Sequence, residues 1–381
     1  LAPSRHSVVS EGAVENGELT TWITVTPDNF VTVLVPHCEM GQGSQTALAM
    51  MAAEEMEAEW DLVRIKEAPA LDVYANAYVL RAFVGDSIPV PLERAVDYGT
   101  YRLARWFGLQ MTGGSTAVRG TGHYGMRIAG AAAKEMLIEA AAERFGVPSS
   151  DCTVRNSRVT HVASGQSETF GALATSAAGR PVPSNPILKD PSTYTIRRTA
   201  RQRFDIPSKV DGTAVYGIDF TLPEMLYAAV DIAPVFGGRL LSVDTRPAEA
   251  MRGVKRVVQL DDAVAVIADN YWRARQALGA LDPKYDDAGR GDVSSTSIFS
   301  AFDTALGSAP EMPEEAATVI TADYRVPFLA HATMEPMACT ARVSANGAEV
   351  WAGVQDPLNA RATAADALGL DPENVRFTNL Q

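Results

Sequence analysis

The chain has 381 residues, 46% hydrophobic and 21% charged, with a formal net charge of −13. That is long enough for two or three domains with their own cores, while the acidic balance argues against a nucleic-acid partner or an anionic membrane surface. No apolar run approaches the roughly 20 residues of a membrane-spanning helix, and any bound phosphate must rely on backbone amides and neutral donors.

The three cysteines, Cys38, Cys152 and Cys339, have no Cys-x-x-Cys spacing. They read as three buried thiols, with a disulfide among them as the alternative, and not as a cluster or zinc site. The five histidines, His6, His37, His123, His161 and His331, contain no His-x-x-x-His pair, so no metal ligand is expected from this chain. It opens at Leu1 instead of Met, as a processed or incomplete N-terminus would. A cleaved export signal would place the protein in the periplasm; the cytoplasm is the alternative.

In chain order, residues 1–20 are polar and mixed and read as a loose arm. The run from Phe30 to Val35 reads as a strand, and Thr46 to Glu55 as a helix. Between them lies Gly41-Gln42-Gly43. A strand, a glycine turn and a helix N-terminus suit an anion, because amides can approach it and the helix dipole favours negative charge. The segment is neither a P-loop nor a dinucleotide fingerprint, which weighs against a nicotinamide dehydrogenase.

A long alanine-rich helix is predicted from Ile128 to Phe145, stopped by Gly146-Val147-Pro148. Cys152 to Val154 and Arg158 to Val162 read as a hairpin. Pro181, Pro183, Pro186 and Pro191 give residues 181–203 a linker composition. A compact α+β unit follows over 204–287, with strands at Met225–Val230 and Ala263–Ala268 and helices at Pro247–Met251 and Tyr271–Leu281. Residues 288–316 read as a crossing segment. The last part, 317–381, is expected to begin with strands, to include a short helix at Ala360–Gly369 and to end on an unpaired strand-like run, Val375 to Leu380. A region of this size ending so reads as a piece of a larger fold.

Several motifs in this order resemble the molybdenum-binding subunit of the xanthine dehydrogenase and aldehyde oxidase family. They are Glu39-Met40-Gly41-Gln42-Gly43-Ser44-Gln45-Thr46, Gly113-Gly114-Ser115-Thr116-Ala117-Val118-Arg119-Gly120, and the run Arg127 to Leu137. Val210 to Asp219, His331-Ala332-Thr333-Met334-Glu335-Pro336 and Val350-Trp351-Ala352-Gly353-Val354-Gln355 continue the series. Within that family the chain is most like the isoquinoline 1-oxidoreductase β-subunits and related bacterial aldehyde dehydrogenases, whose Met-Gly-Gln-Gly segment comes first.

The resemblance implies an α+β, multi-domain molybdopterin-binding fold of the aldehyde oxidase type, circularly arranged and incomplete on its own. Its parts would be an arm (1–20), a molybdopterin-binding region (21–180), a linker (181–203), an α/β hammerhead domain (204–287), the crossing segment (288–316) and the start of a second molybdopterin-binding region (317–381). It implies a molybdenum hydroxylase that oxidises an aldehyde or N-heteroaromatic substrate with oxygen from water. The cofactor would be molybdopterin cytosine dinucleotide with molybdenum. Partners would be a chain carrying the C-terminal half, an iron–sulfur subunit holding 2Fe-2S clusters, and a cytochrome c acceptor. The rival reading is a non-catalytic assembly subunit without molybdenum.

By the same resemblance, Gly41, Gln42, Gly43 and Thr46 would grip the dinucleotide end of the cofactor. Gly114, Ser115, Thr116 and Arg119 would add pterin or phosphate contacts. Gln355 would hydrogen-bond an oxygen ligand of molybdenum, orienting the centre without adding charge. Glu39 and Glu335 read as acceptors that fix loops, and Cys38 and Cys339 as packing. The Gly-Gly-Gly-Phe-Gly loop and the general-base glutamate would both lie beyond Gln381.

Overall fold

A computed structural model of the chain describes residues 17–380 apart from 77, 79–80, 82–87, 89, 308–314 and 316. Residues 1–16 of the expected arm, with His6, lie outside the described residues. The chain forms two compact units, Leu1–Phe220 with Glu335–Gln381, and Thr221–Met334. Residues 204–220 of the expected hammerhead segment thus group with the first unit, and 317–334 with the second. Among the described residues, no helix is long and apolar enough to cross a membrane.

The first unit is built on a four-stranded sheet in the order β1 (Glu18–Thr20), β2 (Ile23–Val25), β3 (Val31–Val35), β4 (Val63–Glu67). The end of the expected arm is therefore a strand: Leu19 is fully buried, and Glu18 pairs with Thr24. β3 alternates buried and half-buried residues, the period-2 pattern of a sheet with one covered face. It pairs in parallel with β4, so the chain must cross over between them. Helix α1 (Ser44–Met56) makes that crossing.

α1 is enclosed on every side, with Leu48, Ala49, Ala52 and Met56 fully buried. Helix α2 spans Val90–Trp106. A helical turn at Gly114–Thr116 and a π-helical stretch at Ala117–Met126 then lead into helix α3 (Arg127–Phe145). Gly146 ends α3 in the left-handed conformation, donating its N–H to Ala142 and Glu143 carbonyls.

α3 presses against α1 through small residues. A Cβ on Gly130 would sit 2.4 Å from the Ala52 carbonyl oxygen, which is backbone and cannot swing away. Gly130→Ala is therefore expected to cost about 1–3 kcal/mol by overpacking. An unchanged thermal midpoint for that variant would show that the two helices can separate freely.

Cys152–Arg155, Arg158–His161 and Ser167–Thr169 form a small antiparallel sheet, one strand more than the expected hairpin. The proline-rich segment 181–203 does not run free. Ile196 is buried in the first core, and the segment is tied to α1 by two fully buried carboxylates. Glu54 accepts from the N–H groups of Thr195 (3.0 Å), Ile196 (2.7 Å) and Arg197 (2.8 Å) and from Lys189 Nζ (2.7 Å). Glu55 accepts from Arg127 Nε (2.7 Å) and the Lys189 N–H (2.6 Å). Linker composition is overridden here because the prolines only remove donors, while the remaining amides converge on a helix carboxylate.

The first unit closes with strands Cys339–Ser344, Gly347–Ala352 and Val375–Asn379 and helix Pro357–Leu368. The last strand is not unpaired: it lies parallel to Gly347–Ala352, Val350 opposite Phe377. Cys339 is exposed, unlike Cys38 and Cys152, because its strand is an edge with little covering it. All three thiols are free.

The second unit holds a three-stranded antiparallel sheet in which Ala263–Ala268 is central, flanked by Val254–Gln259 and Tyr227–Ile232. Helix Tyr271–Leu278 contributes Ala274, Ala277 and Leu278 to its core. No strand forms over 317–334 among the described residues, where Ile320, Tyr324 and Leu329 are exposed. Apolar, β-prone residues form a strand only where a neighbouring edge accepts their hydrogen bonds.

Candidate cofactor-binding site

The loop between β3 and α1 is organised by Glu39. Its Oε1 accepts from Gly41 N–H (3.0 Å) and Gly43 N–H (2.8 Å), and Oε2 accepts from Gln45 N–H (3.3 Å). Gly43, the N-cap of α1, has φ 75°, a left-handed backbone that a side chain would strain. Three loop amides that could have faced an external anion are thus turned onto the chain's own carboxylate. Glu39 is the loop-fixing acceptor that its sequence position suggested. Arg203 clamps the arrangement, reaching Glu39 Oε1 (3.2 Å) and the Gly41 carbonyl (2.6 Å).

Gln42 is exposed, but its amide is engaged. Nε2 donates to Cys38 O (3.0 Å) and Ser44 Oγ (2.8 Å), and Oε1 accepts from Met40 N–H (2.6 Å). One lone pair of Oε1 and the edge of the loop remain available. Thr46 is buried, its hydroxyl accepting from Phe204 N–H (3.2 Å), so it faces the 200s segment.

The second loop is more open. Gly113 is an extended N-cap with no side-chain cap, and Gly114 and Ser115 are exposed, so the first turn presents backbone amides outward. Thr116 is half-buried, and Arg119, in the π-helical stretch, is exposed.

Gln355 lies in the bend between strand Gly347–Ala352 and helix Pro357–Leu368. Its side chain is exposed and makes no hydrogen bond with the described residues, whereas its carbonyl accepts from Thr112 N–H at 2.7 Å. Thr112 Oγ1 in turn accepts from Cys38 N–H at 3.0 Å. One threonine therefore joins the glycine loop, the Gly113–Thr116 turn and the Gln355 bend, three segments far apart in the chain. Asp356 reinforces the junction, capping Asn359 N–H (3.2 Å) and Gln110 N–H (3.1 Å).

A second bridge runs deeper. Glu67, ending β4, accepts from Gln45 Nε2 (3.3 Å) and from Asn379 Nδ2. Asn379 also pairs with the backbone of Val354, next to Gln355. Burial pushes the Glu67 carboxyl up to about 7, against the pull of the Asn379 and Gln45 amides. A raised carboxyl binds its proton more tightly in the folded state. Its contribution to stability is then complete below the ordinary carboxylate range near pH 4 and is lost as pH rises through about 7. The unfolding free energy should decline between pH 5 and 8 by an amount on the order of 1–3 kcal/mol, read as a falling thermal midpoint, and this slope should be missing in Glu67→Gln. A parallel pH slope in the variant would assign it to another group.

His37 is fully buried and bonded to Thr121 Oγ1 (2.9 Å) and Asn76 Nδ2 (3.2 Å). Burial lowers it to about 4, so at neutral pH it is an uncharged brace. Burial pushes the Cys38 thiol up, away from a thiolate ligand. Glu335 accepts from Gly217 N–H (3.2 Å), and Trp351 stacks on Phe220 with ring centres 4.8 Å apart.

Sequence reasoning missed Thr112, Glu67, Asn379 and Arg203. Only Asp356 carried a local signal, an aspartate directly before a proline that opens a helix. The others act on partners distant in sequence.

Molybdopterin cofactor-binding domains match residues 2–78 and 293–380, the stretches that carry the Gly41–Gly43 loop and Gln355. The chain is 28% identical to the β-subunit of isoquinoline 1-oxidoreductase from Brevundimonas diminuta over 93% of its length and 49% of that protein. It is 30% identical to a membrane-bound aldehyde dehydrogenase [pyrroloquinoline-quinone] of Gluconacetobacter polyoxogenes, covering 93% of this chain and 44% of that one. Against a nicotinate dehydrogenase subunit of Pseudomonas putida the identity is 25%, over 97% of this chain and 30% of that protein. The chain thus spans half or less of the length of these relatives. The chain carries both molybdopterin cofactor-binding segments and is similar to the molybdenum-binding subunits of the xanthine dehydrogenase and aldehyde oxidase family.

Proposed function

We propose that this chain is part of the large subunit of a molybdenum hydroxylase that oxidises an aldehyde or an N-heteroaromatic carbon. Water would supply the oxygen, and an iron–sulfur partner would take the electrons. The substrate classes are those named in the relatives, an aldehyde and the ring compounds isoquinoline and nicotinate. The observation that carries the reading is the Thr112 junction, which joins the backbone of the Gln355 bend to two loops, with the Gln355 side chain exposed.

These residues fit a molybdopterin dinucleotide in part. The uncapped amides of Gly114, Ser115 and Thr116, with Arg119 nearby, suit phosphate or pterin oxygens in an acidic protein. Gln355 offers a neutral donor with no competing partner among the described residues. The Gly41–Gly43 loop fits less directly, because Glu39 holds its amides and Gln42 braces it. Its share of the binding would come from the exposed edge of Gln42 and from a loop shape that is already set. Thr46 would act from behind, anchoring the 200s segment. When bound, the cofactor supplies the two-electron redox chemistry, while the chain supplies position and electrostatics.

Molybdenum and cytidylate per chain in the purified complex test the proposal, and substrate-dependent bleaching tests the activity. A full-length protein that carries neither molybdenum nor nucleotide would have an assembly role only. Gln42→Ala should lower cofactor occupancy about tenfold or more, since it removes a polar contact and three bonds that shape the loop. Unchanged molybdenum and cytidylate content in that variant would remove Gln42 from the site.

A further inference from the structure

We propose that a cleft of about 450 Å³ behind the glycine loop binds a small aromatic carboxylate, and that its occupancy is felt at the loop through Arg203. This goes beyond the oxidoreductase reading and does not depend on it. The cleft is lined by Trp60 and Phe204, whose rings lie 5.2 Å apart, and by Arg64, Arg201 and Arg203 against the single acid Asp61. Its volume falls within the range of small-molecule sites, which combine apolar walls with a few convergent polar groups.

Charge sets the ligand class. In a chain of net charge −13, three guanidinium groups meet in one place. Arg64 donates to the backbone carbonyls of Asp61 and Val63, both at 2.8 Å, and its guanidinium lies 4.2 Å from the Phe30 ring centre. Arg201 donates to Thr199 Oγ1 (3.0 Å) and lies 5.9 Å from the Trp60 ring centre. Neither forms an ion pair with a described carboxylate, so both keep donors for a planar oxyanion, which guanidinium binds in fork geometry. The two aromatic rings favour a ligand with a flat apolar body.

Arg203 makes the cleft more than a surface feature. Its guanidinium is shared between Asp205 (2.6 Å) and Glu39 (3.2 Å), and Glu39 holds the Gly41, Gly43 and Gln45 amides. An anion in the cleft competes for the same donors and loosens the grip on Glu39.

The test is calorimetric titration of the full-length protein with benzoate, benzyl alcohol and inorganic phosphate, with amide hydrogen exchange on the benzoate complex. Benzoate should bind at least tenfold more tightly than either control. Arg64→Ala and Arg201→Ala should each weaken it about tenfold, one guanidinium–carboxylate contact. Exchange at Gly41 and Gly43 should accelerate on binding. The proposal is overturned by absence of benzoate binding, by phosphate binding equally well, by affinity indifferent to both arginines, or by loop exchange that does not change.

Discussion

Glu54→Ala is expected to lower the thermal midpoint by about 10 °C. The carboxylate has no solvent exposure and receives three backbone N–H groups and Lys189. Removing it leaves those amides without an acceptor and the Lys189 ammonium with only Glu57, at 4.0 Å. Breaking such a buried arrangement from one side typically costs about 3–5 kcal/mol. In a unit of this size each kcal/mol moves the midpoint about 2–4 °C. Burial alone would raise the Glu54 pKa, but Lys189 and the three amides outweigh it and hold it below the ordinary value. Its contribution is therefore present above the usual carboxylate range and is lost as pH falls through the lower folded value. The variant should lose part of the parent's acid sensitivity along with its stability. A midpoint within about 2 °C of the parent would mean that the 187–197 strap contributes little to the fold.

Gln355→Ala is expected to slow substrate oxidation on the order of 100-fold while leaving molybdenum content close to the parent's. The backbone and the side chain of this residue are separable. Its carbonyl takes the Thr112 N–H, a backbone contact that alanine keeps, so the junction of the three segments survives. Only the exposed amide disappears, the donor proposed to meet the metal end of the cofactor. Electron transfer onward should be unaffected once the cofactor is reduced. The decisive measurement is the rate of enzyme reduction by substrate at matched molybdenum content. Parent-like kinetics there would leave Gln355 as a bend residue whose backbone alone matters.

The amino-acid sequence by itself determined the local elements. The alanine-rich run at Arg127–Phe145 with Gly146 behind it, the β3–loop–α1 succession and the strand at Ala263–Ala268 are all readable from periodicity and stop residues. Each is set by interactions within a few residues, which is what a linear pattern records. The family motifs were legible for the same reason, as contiguous strings.

Tertiary structure alone decided where polar groups would find their partners. The string Glu39-Met40-Gly41-Gln42-Gly43 suggests a loop-fixing carboxylate, but not which amides it takes or that Arg203 will clamp them. Glu54 and Glu55 stand at the end of the expected helix with no local sign of burial; they are buried because residues 187–197 supply a lysine and a row of free amides. Thr112 is an ordinary threonine until the Gln355 bend and Cys38 arrive on either side of it. A buried donor or acceptor must be paired, but which distant group pairs with it is settled by packing of the whole unit, and periodicity carries no information about that.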